Sequence, residues 1–250
     1  MFPLKLLSLS LLIGFSLTVQ ADWRDLLDAL PESAKGAIST DDVVQATGLS
    51  QEEIVAGLKE ALNSATEISI ASLSKEGGYL DNPAVKIEMP AELSRVEQGL
   101  RQIGQDEMAD EFVLTMNQAA EQAVPVALEQ FQSAIDDMTL DDAQGILNGE
   151  DDAATQYFRK HSEPALREQF LPIVEEATAN AGVTSTYQSI MSQLGSFSSF
   201  LQPQALDLDE YVTEEALNGL FTMVAQEEKR IRQDPVARST ELLEKVFGSD

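Results

Sequence analysis

A chain of 250 residues with 43% hydrophobic and 24% charged residues is long enough for one sizeable core or two small ones, and intrinsic disorder is not its default state. Its 43 acidic against 16 basic residues leave a formal charge of −27, which repels phosphate backbones and anionic lipid. Nucleic acid is therefore disfavoured as a partner, whereas cationic ligands, divalent ions and basic proteins are electrostatically welcome. The absence of cysteine excludes disulfides, lipid-modified cysteine and thiolate chemistry together.

Lys5 is followed by an apolar stretch from Leu6 to Val19, softened by Ser8, Ser10, Gly14, Ser16 and Thr18, and then by Gln20 and Ala21. This is the layout of a cleavable export signal with the cut between Ala21 and Asp22. The apolar part is shorter than the roughly 20 residues that span a bilayer. The expected product is a soluble protein of the periplasm or the exterior with no stable membrane insertion. Cleavage removes Lys5 and no acid, taking the formal charge from −27 to −28. Such a charge also serves the plainer purpose of keeping an exported protein in solution.

Residues 22–49, with short helical stretches around Pro31, read as an N-terminal extension to a single helical domain over residues 50–250. Ser39 with Asp42, Ser50 with Glu53 and Thr139 with Asp142 read as capping boxes, and Asp234-Pro235 as a cap with a pre-set first turn. Apolar residues recur at helical spacing in Ile54, Leu58, Leu62 and Ala65, and again in Met108, Phe112, Met116, Ala119 and Ala123. Further stripes are Leu166, Phe170, Ile173, Val174 and Ala177, with Pro172 inside; Tyr187, Ile190, Met191 and Leu194; Leu217, Leu220, Phe221, Val224 and Ile231; and Thr240, Leu243 and Phe247. The fold class these predict is all-α, an irregular multi-helix bundle. Tyr79 to Pro90 breaks the pattern: Val85, Ile87 and Met89 alternate with Lys86 and Glu88 between prolines, which predicts an extended connector or an exposed binding arm. Ser196 to Glu210 reads as the longest loop.

The single histidine, His161, cannot supply a zinc site or the paired Glu-x-x-His of a di-iron bundle. There is no nucleophile elbow and no Gly-rich phosphate loop, and no cofactor is expected. Carboxylate chemistry remains. Asp207-Leu208-Asp209-Glu210-Tyr211-Val212 starts like a calcium loop, yet Tyr211 and Val212 replace a ligand and the turn glycine, so no metal site is assigned. Glu150-Asp151-Asp152 stands before a helical run, where acids suit the positive helix end whatever the function. Glu107, Asp110 and Glu111 share one solvated helix face opposite Met108 and Phe112. Arg232, with Lys229, Arg230 and Arg238, either holds an anion or pairs with Glu227 and Glu228 along the helix.

The ordered blocks Asn82-Pro83-Ala84-Val85-Lys86-Ile87, Asp151 to Phe158, Glu163-Pro164-Ala165-Leu166-Arg167, Asp209 to Thr213, Ala216 to Phe221 and Val246-Phe247-Gly248 resemble the exported proteobacterial family labelled domain of unknown function 4197. The resemblance runs from about Ser50 to Gly248. Asn218 departs from it, standing where the family pattern has Asp. The resemblance implies an exported helical protein and supplies no activity, cofactor or catalytic residue.

The expected function is a non-enzymatic exported helical protein that binds a small ligand or an envelope protein. The residues nominated for contact are Asn82, Pro83, Asp151, Asp152, Tyr157, Arg159, Arg167, Asp207, Asp209, Tyr211 and Arg232, with the Asp151–Arg167 and Asp207–Phe221 blocks converging on a pocket or groove. The alternative is an enzyme using two carboxylates, with or without a divalent ion.

Overall fold

In the computed structural model, which describes residues 50–181 and 207–233, helices start where side chains take up orphan amide hydrogens. The Ser50 hydroxyl accepts from the Glu53 amide at 3.2 Å, and the Glu53 carboxylate accepts from the Ser50 amide at 2.8 Å. The helix so opened is α1, Gln51–Leu73, and such a cap is worth roughly 1 kcal/mol. A 3₁₀ turn at Ala91–Leu93 leads into α2, Ser94–Gln102, and Asp106–Ala123 forms α3. A second 3₁₀ turn around Pro125 passes the chain to α4, Ala127–Asp136. The Thr139 and Asp142 capping box opens α5, Leu140–Leu147. Two long helices complete the described residues, α6 over Ala153–Ala181 and α7 over Leu208–Gln233. No strand occurs among them, so the architecture is all-α.

The apolar stripes face inward. Ile54, Leu58, Leu62 and Ala65 of α1, Phe112 and Met116 of α3, Leu166, Phe170 and Val174 of α6, and Leu217, Leu220 and Val224 of α7 are all buried. Thr178 of α6 donates to Asp209 of α7, and Thr155 donates to Glu228. The end of α6 therefore meets the start of α7 and the reverse, which makes the pair antiparallel. Phe131 of α4 packs on Phe158 and Phe221 from this pair, with ring centroids 4.9 and 6.0 Å apart. Pro172 lies within α6 as its stripe predicts, and Pro164 lies there too. Both are exposed, as are Lys160 and Glu168 four residues earlier, so the carbonyls that lose their helical partners face the solvent side.

The segment between α1 and α2 departs from its expected form. Turns run from Glu76 to Asp81 and from Pro83 to Val85, and the longest stretch free of helix and turn is Lys86 to Pro90. The period of two nevertheless holds in that part, where Ile87 and Met89 are buried and Glu88 is exposed. This strap is clamped rather than free. The Tyr79 amide donates to Glu121 at 3.1 Å and its hydroxyl to the Ala216 carbonyl at 2.6 Å. Asn117 of α3 accepts from the Ile87 amide at 2.9 Å and donates to the Ile87 carbonyl at 2.8 Å. Asn82 donates to the Met223 sulfur, and Tyr211 donates to the Glu88 carbonyl. An exposed docking arm is thereby replaced by a connector sewn to α3 and α7.

The described residues fall within one compact unit, Ile38–Ser249. The loop expected over Ser196 to Glu210 is shorter at its end, since α7 starts at Leu208; the rest of it up to residue 206, the expected signal segment, the extension over residues 22–49, the Ser39 cap, the Tyr187 and Thr240 stripes, Arg238 and the Asp234-Pro235 cap lie outside the described residues.

Gly219 of α7 is where the strap comes closest. A Cβ there would stand 2.6 Å from a Tyr79 ring carbon and 3.2 Å from the Val85 Cβ, and Tyr79 is fully buried. Gly219→Ala is expected to destabilise the fold by about 1–3 kcal/mol through overpacking, read as a lower denaturant midpoint at unchanged slope. Tyr79→Phe, which loses one buried hydrogen bond, is expected to cost about 1 kcal/mol.

Candidate functional site

The nominated residues mostly converge on the seam between α6 and α7, where the seam is closed by the contacts they make. Arg167 pairs with Glu210, and Thr178 donates to Asp209 at 2.5 Å. Arg159 bonds Glu163 at 3.2 Å and stacks its guanidinium over Phe221, 4.5 Å from the ring centroid. The Tyr157 hydroxyl donates to the Ala134 carbonyl at 2.8 Å, and its ring lies 4.4 Å from that of His161. Asp207 accepts from the Glu210 amide, so the calcium-like stretch is a helix cap. Asp151 and Asp152 accept from Gln233 and Gln156. Asn82 folds an Asx turn onto the Ala84 amide, while Pro83 is exposed on the strap.

At one end of the seam lies a carboxylate that the sequence reading treated only as an ion-pair partner. Glu228 of α7 is 4% exposed. It accepts from the Ala154 and Thr155 amides at 2.9 Å each and from the Thr155 hydroxyl at 2.8 Å. Arg232, one turn later, donates to it from Nε at 3.2 Å and from Nη2 at 2.9 Å, and Nη2 also reaches the Ile146 carbonyl at 2.8 Å. The carboxylate thus caps α6 from another helix, where the positive helix end favours an anion. The cavity beside it, bounded by Leu58, Leu62, Ile231 and Arg232, holds about 10 Å³, room for about one water. The position was legible as an acid on the buried stripe of Val224 and Ile231.

A larger concavity of about 520 Å³ lies away from this seam, within the range of small-ligand sites. Lys86 and Glu88 of the strap, Glu97 and Arg101 of α2, and Glu107, Asp110 and Glu111 of α3 line it over an apolar floor of Leu80, Val113 and Leu114. Five carboxylates thus face two cations, and both cations are engaged. Lys86 pairs with Glu88 at 3.1 Å. Arg101 contacts Glu97 and Asp110 at 2.9 Å and Asp106 at 3.6 Å. Its hydrogen bonds to Glu97 and then Asp110 hold the guanidinium even more firmly charged than usual. Glu107 and Glu111 are exposed and have no ion pair among the described residues. They stand one turn apart, where like charges repel.

The acidic surface continues across Glu88 to α7. Burial, followed by the charges of Glu215, Glu92 and Glu88, pushes the Tyr211 hydroxyl up to about 12. Burial and then Glu214 raise the Glu215 carboxyl above its ordinary 4.5, against a hydrogen bond from Asn218. The buried carboxylates Glu121 and Glu228 accept donors from the fold itself. Among the described residues no group of three or more His, Cys, Asp or Glu stands where it could hold a metal ion, and no helix is long and apolar enough to cross a membrane.

Glu228→Ala is expected to lower stability by about 3–5 kcal/mol, since it leaves two buried amides without their acceptor and takes from Arg232 its carboxylate counter-charge, measured by urea unfolding. Glu215 gives a pH prediction. Its folded pKa lies above the unfolded one, so ionising it opposes folding, fully so above both values and not at all below both. Glu215→Gln should therefore raise the melting temperature at pH 7, with the gain vanishing as the pH falls below the glutamate range near 4.5.

A family model described as Protein of unknown function (DUF4197) matches residues 48–248. No curated protein and no solved structure matches the chain.

Proposed function

The chain belongs to the DUF4197 family of proteins of unknown function, and we propose that it is an exported binding protein, periplasmic or secreted, which receives cationic groups in the groove between the strap, α2 and α3. The observation that carries this reading is the pair Glu107 and Glu111, exposed on the wall of a 520 Å³ groove while neighbouring acids are paired with Arg101. Two carboxylates at one-turn spacing repel one another by a few tenths of a kcal/mol, and an incoming cation turns that cost into attraction. A partly enclosed wall strengthens the attraction over its value in open water.

A binding role is favoured over catalysis by what the buried carboxylates do. Glu121 holds the Tyr79 amide and Glu228 holds α6, so neither is offered to a substrate. Export is supported by the signal-like stretch ahead of Asp22.

Calorimetric titration with spermine tests the groove. The wild-type chain is expected to bind it, more weakly as ionic strength rises through about 0.1 M. Glu107→Gln with Glu111→Gln should cost roughly threefold to tenfold in affinity; equal affinity in the double variant would remove the groove from the account. For export, the intact mass of protein recovered from outside the cytoplasm should correspond to a chain starting at Asp22. A mass that retains residues 1–21 would contradict cleavage there.

A further inference from the structure

We infer that the occupant of this groove is a basic segment of a protein, carrying an apolar side chain beside its cations, rather than a free polycation. The inference rests on the cation-binding reading of the groove and adds to it an exposed apolar residue in the turn between two of the helices that line it. Ile103 is 60% exposed, against 39% for Ile68 and 42% for Leu140, the other exposed large hydrophobic residues described. It lies in the turn that joins α2 to α3, two residues after Arg101 and four before Glu107, both of which line the groove.

The turn holds Ile103 in place. The Ile103 amide donates to the Gly99 and Leu100 carbonyls at 3.2 Å each, and the Gln105 amide returns to Leu100 at 2.9 Å. Gly104 between them has φ +77°, a left-handed conformation that a side chain would strain. An exposed isoleucine in the turn between two helices that line an acidic groove, itself lined also by Leu80, Val113 and Leu114, offers apolar area together with negative charge. A free polyamine answers the carboxylates alone. A protein segment with an aliphatic residue next to lysine or arginine answers both, and excluding water around the pair strengthens the ionic contacts.

The spacing narrows the class further. Glu107 and Glu111 repeat at one helical turn, about 6 Å along the axis, which is the repeat of basic residues four apart on a partner helix. The partner is therefore a basic amphipathic helix with cations at that spacing and an aliphatic residue seated on Ile103.

The test uses the full chain from Asp22 and three probes: a labelled helical peptide with lysines four apart and leucines between, the same peptide with serines replacing the leucines, and spermine. Ile103→Ser, at an exposed position, keeps the fold intact by circular dichroism. The leucine peptide should bind more tightly than the other two, and Ile103→Ser should remove that advantage, about tenfold in affinity, without changing spermine or the serine peptide. Glu107→Gln with Glu111→Gln should weaken all three. If the two peptides bind alike and Ile103→Ser changes nothing while the glutamine variant still weakens spermine, the helical partner is wrong and the groove reading stands. If the glutamine variant leaves every probe unchanged, the groove reading itself fails.

Discussion

The buried carboxylate of Glu228 ties the start of α6 to α7 and, through Arg232, to the end of α5. The first amides of α6 lie on buried residues, Ala154 and Thr155, where an unpaired donor is costly. Glu228 takes the Ala154 and Thr155 amides, and Arg232 both neutralises Glu228 and takes the Ile146 carbonyl at the end of α5. Each group answers a need the others create: the amides need an acceptor, the carboxylate a cation, and the carbonyl a donor. This is an ionic contact whose removal on one side costs far more than its presence contributes.

From that fixed pair the rest of the scaffold follows. With α6 and α7 antiparallel, α7 presents Gly219 and the Ala216 carbonyl to the strap, and Tyr79 fills the space with its ring while its hydroxyl finds that carbonyl. Asn117 then fixes Ile87 through both backbone groups, so Lys86 and Glu88 on either side are delivered to the groove wall. The groove is a by-product of a clamped connector lying alongside two helices whose outward faces are acidic. Lys86, Glu88, Glu97, Arg101 and Asp110 are held by short ion pairs with one another, while Glu107 and Glu111 are carried on the helix α3 itself, an arrangement that keeps a recognition surface ordered before a partner arrives.

How much of this was legible in the sequence depends on how local each cause is. The Ser50 and Thr139 caps and the apolar stripes involve residues within a few positions of one another, and they fixed the helix starts and the buried faces. The alternation of Val85, Ile87 and Met89 was local too, but the turns before it depend on Gly77 and on Asn82 folding back onto Ala84, which that alternation does not report. Tyr157, Arg159, Arg167, Asp207 and Asp209 were nominated because acids, cations and aromatics together suit a binding site. The same mixture suits a helix seam, and there they contact Glu210, Phe221 and Thr178, with Asp207 accepting from the Glu210 amide and Tyr157 donating to the Ala134 carbonyl. Glu107, Asp110 and Glu111 were recognised as one solvated face. That the face is a wall required Lys86, Glu97 and Arg101 to arrive from two other segments, and no spacing rule links those positions.

The central claim is a division of labour: the α6–α7 seam serves the fold, and the groove beside α2 and α3 serves recognition. Hydrogen exchange followed by mass spectrometry, with and without a saturating cationic ligand such as spermine, tests this most directly, because it reports every backbone segment at once. The account predicts added protection confined to the strap and to α2 and α3, across residues 80–114, with the α6–α7 seam unchanged. Protection appearing instead along Asp151–Arg167 and Asp207–Phe221, with residues 80–114 unaffected, would contradict it.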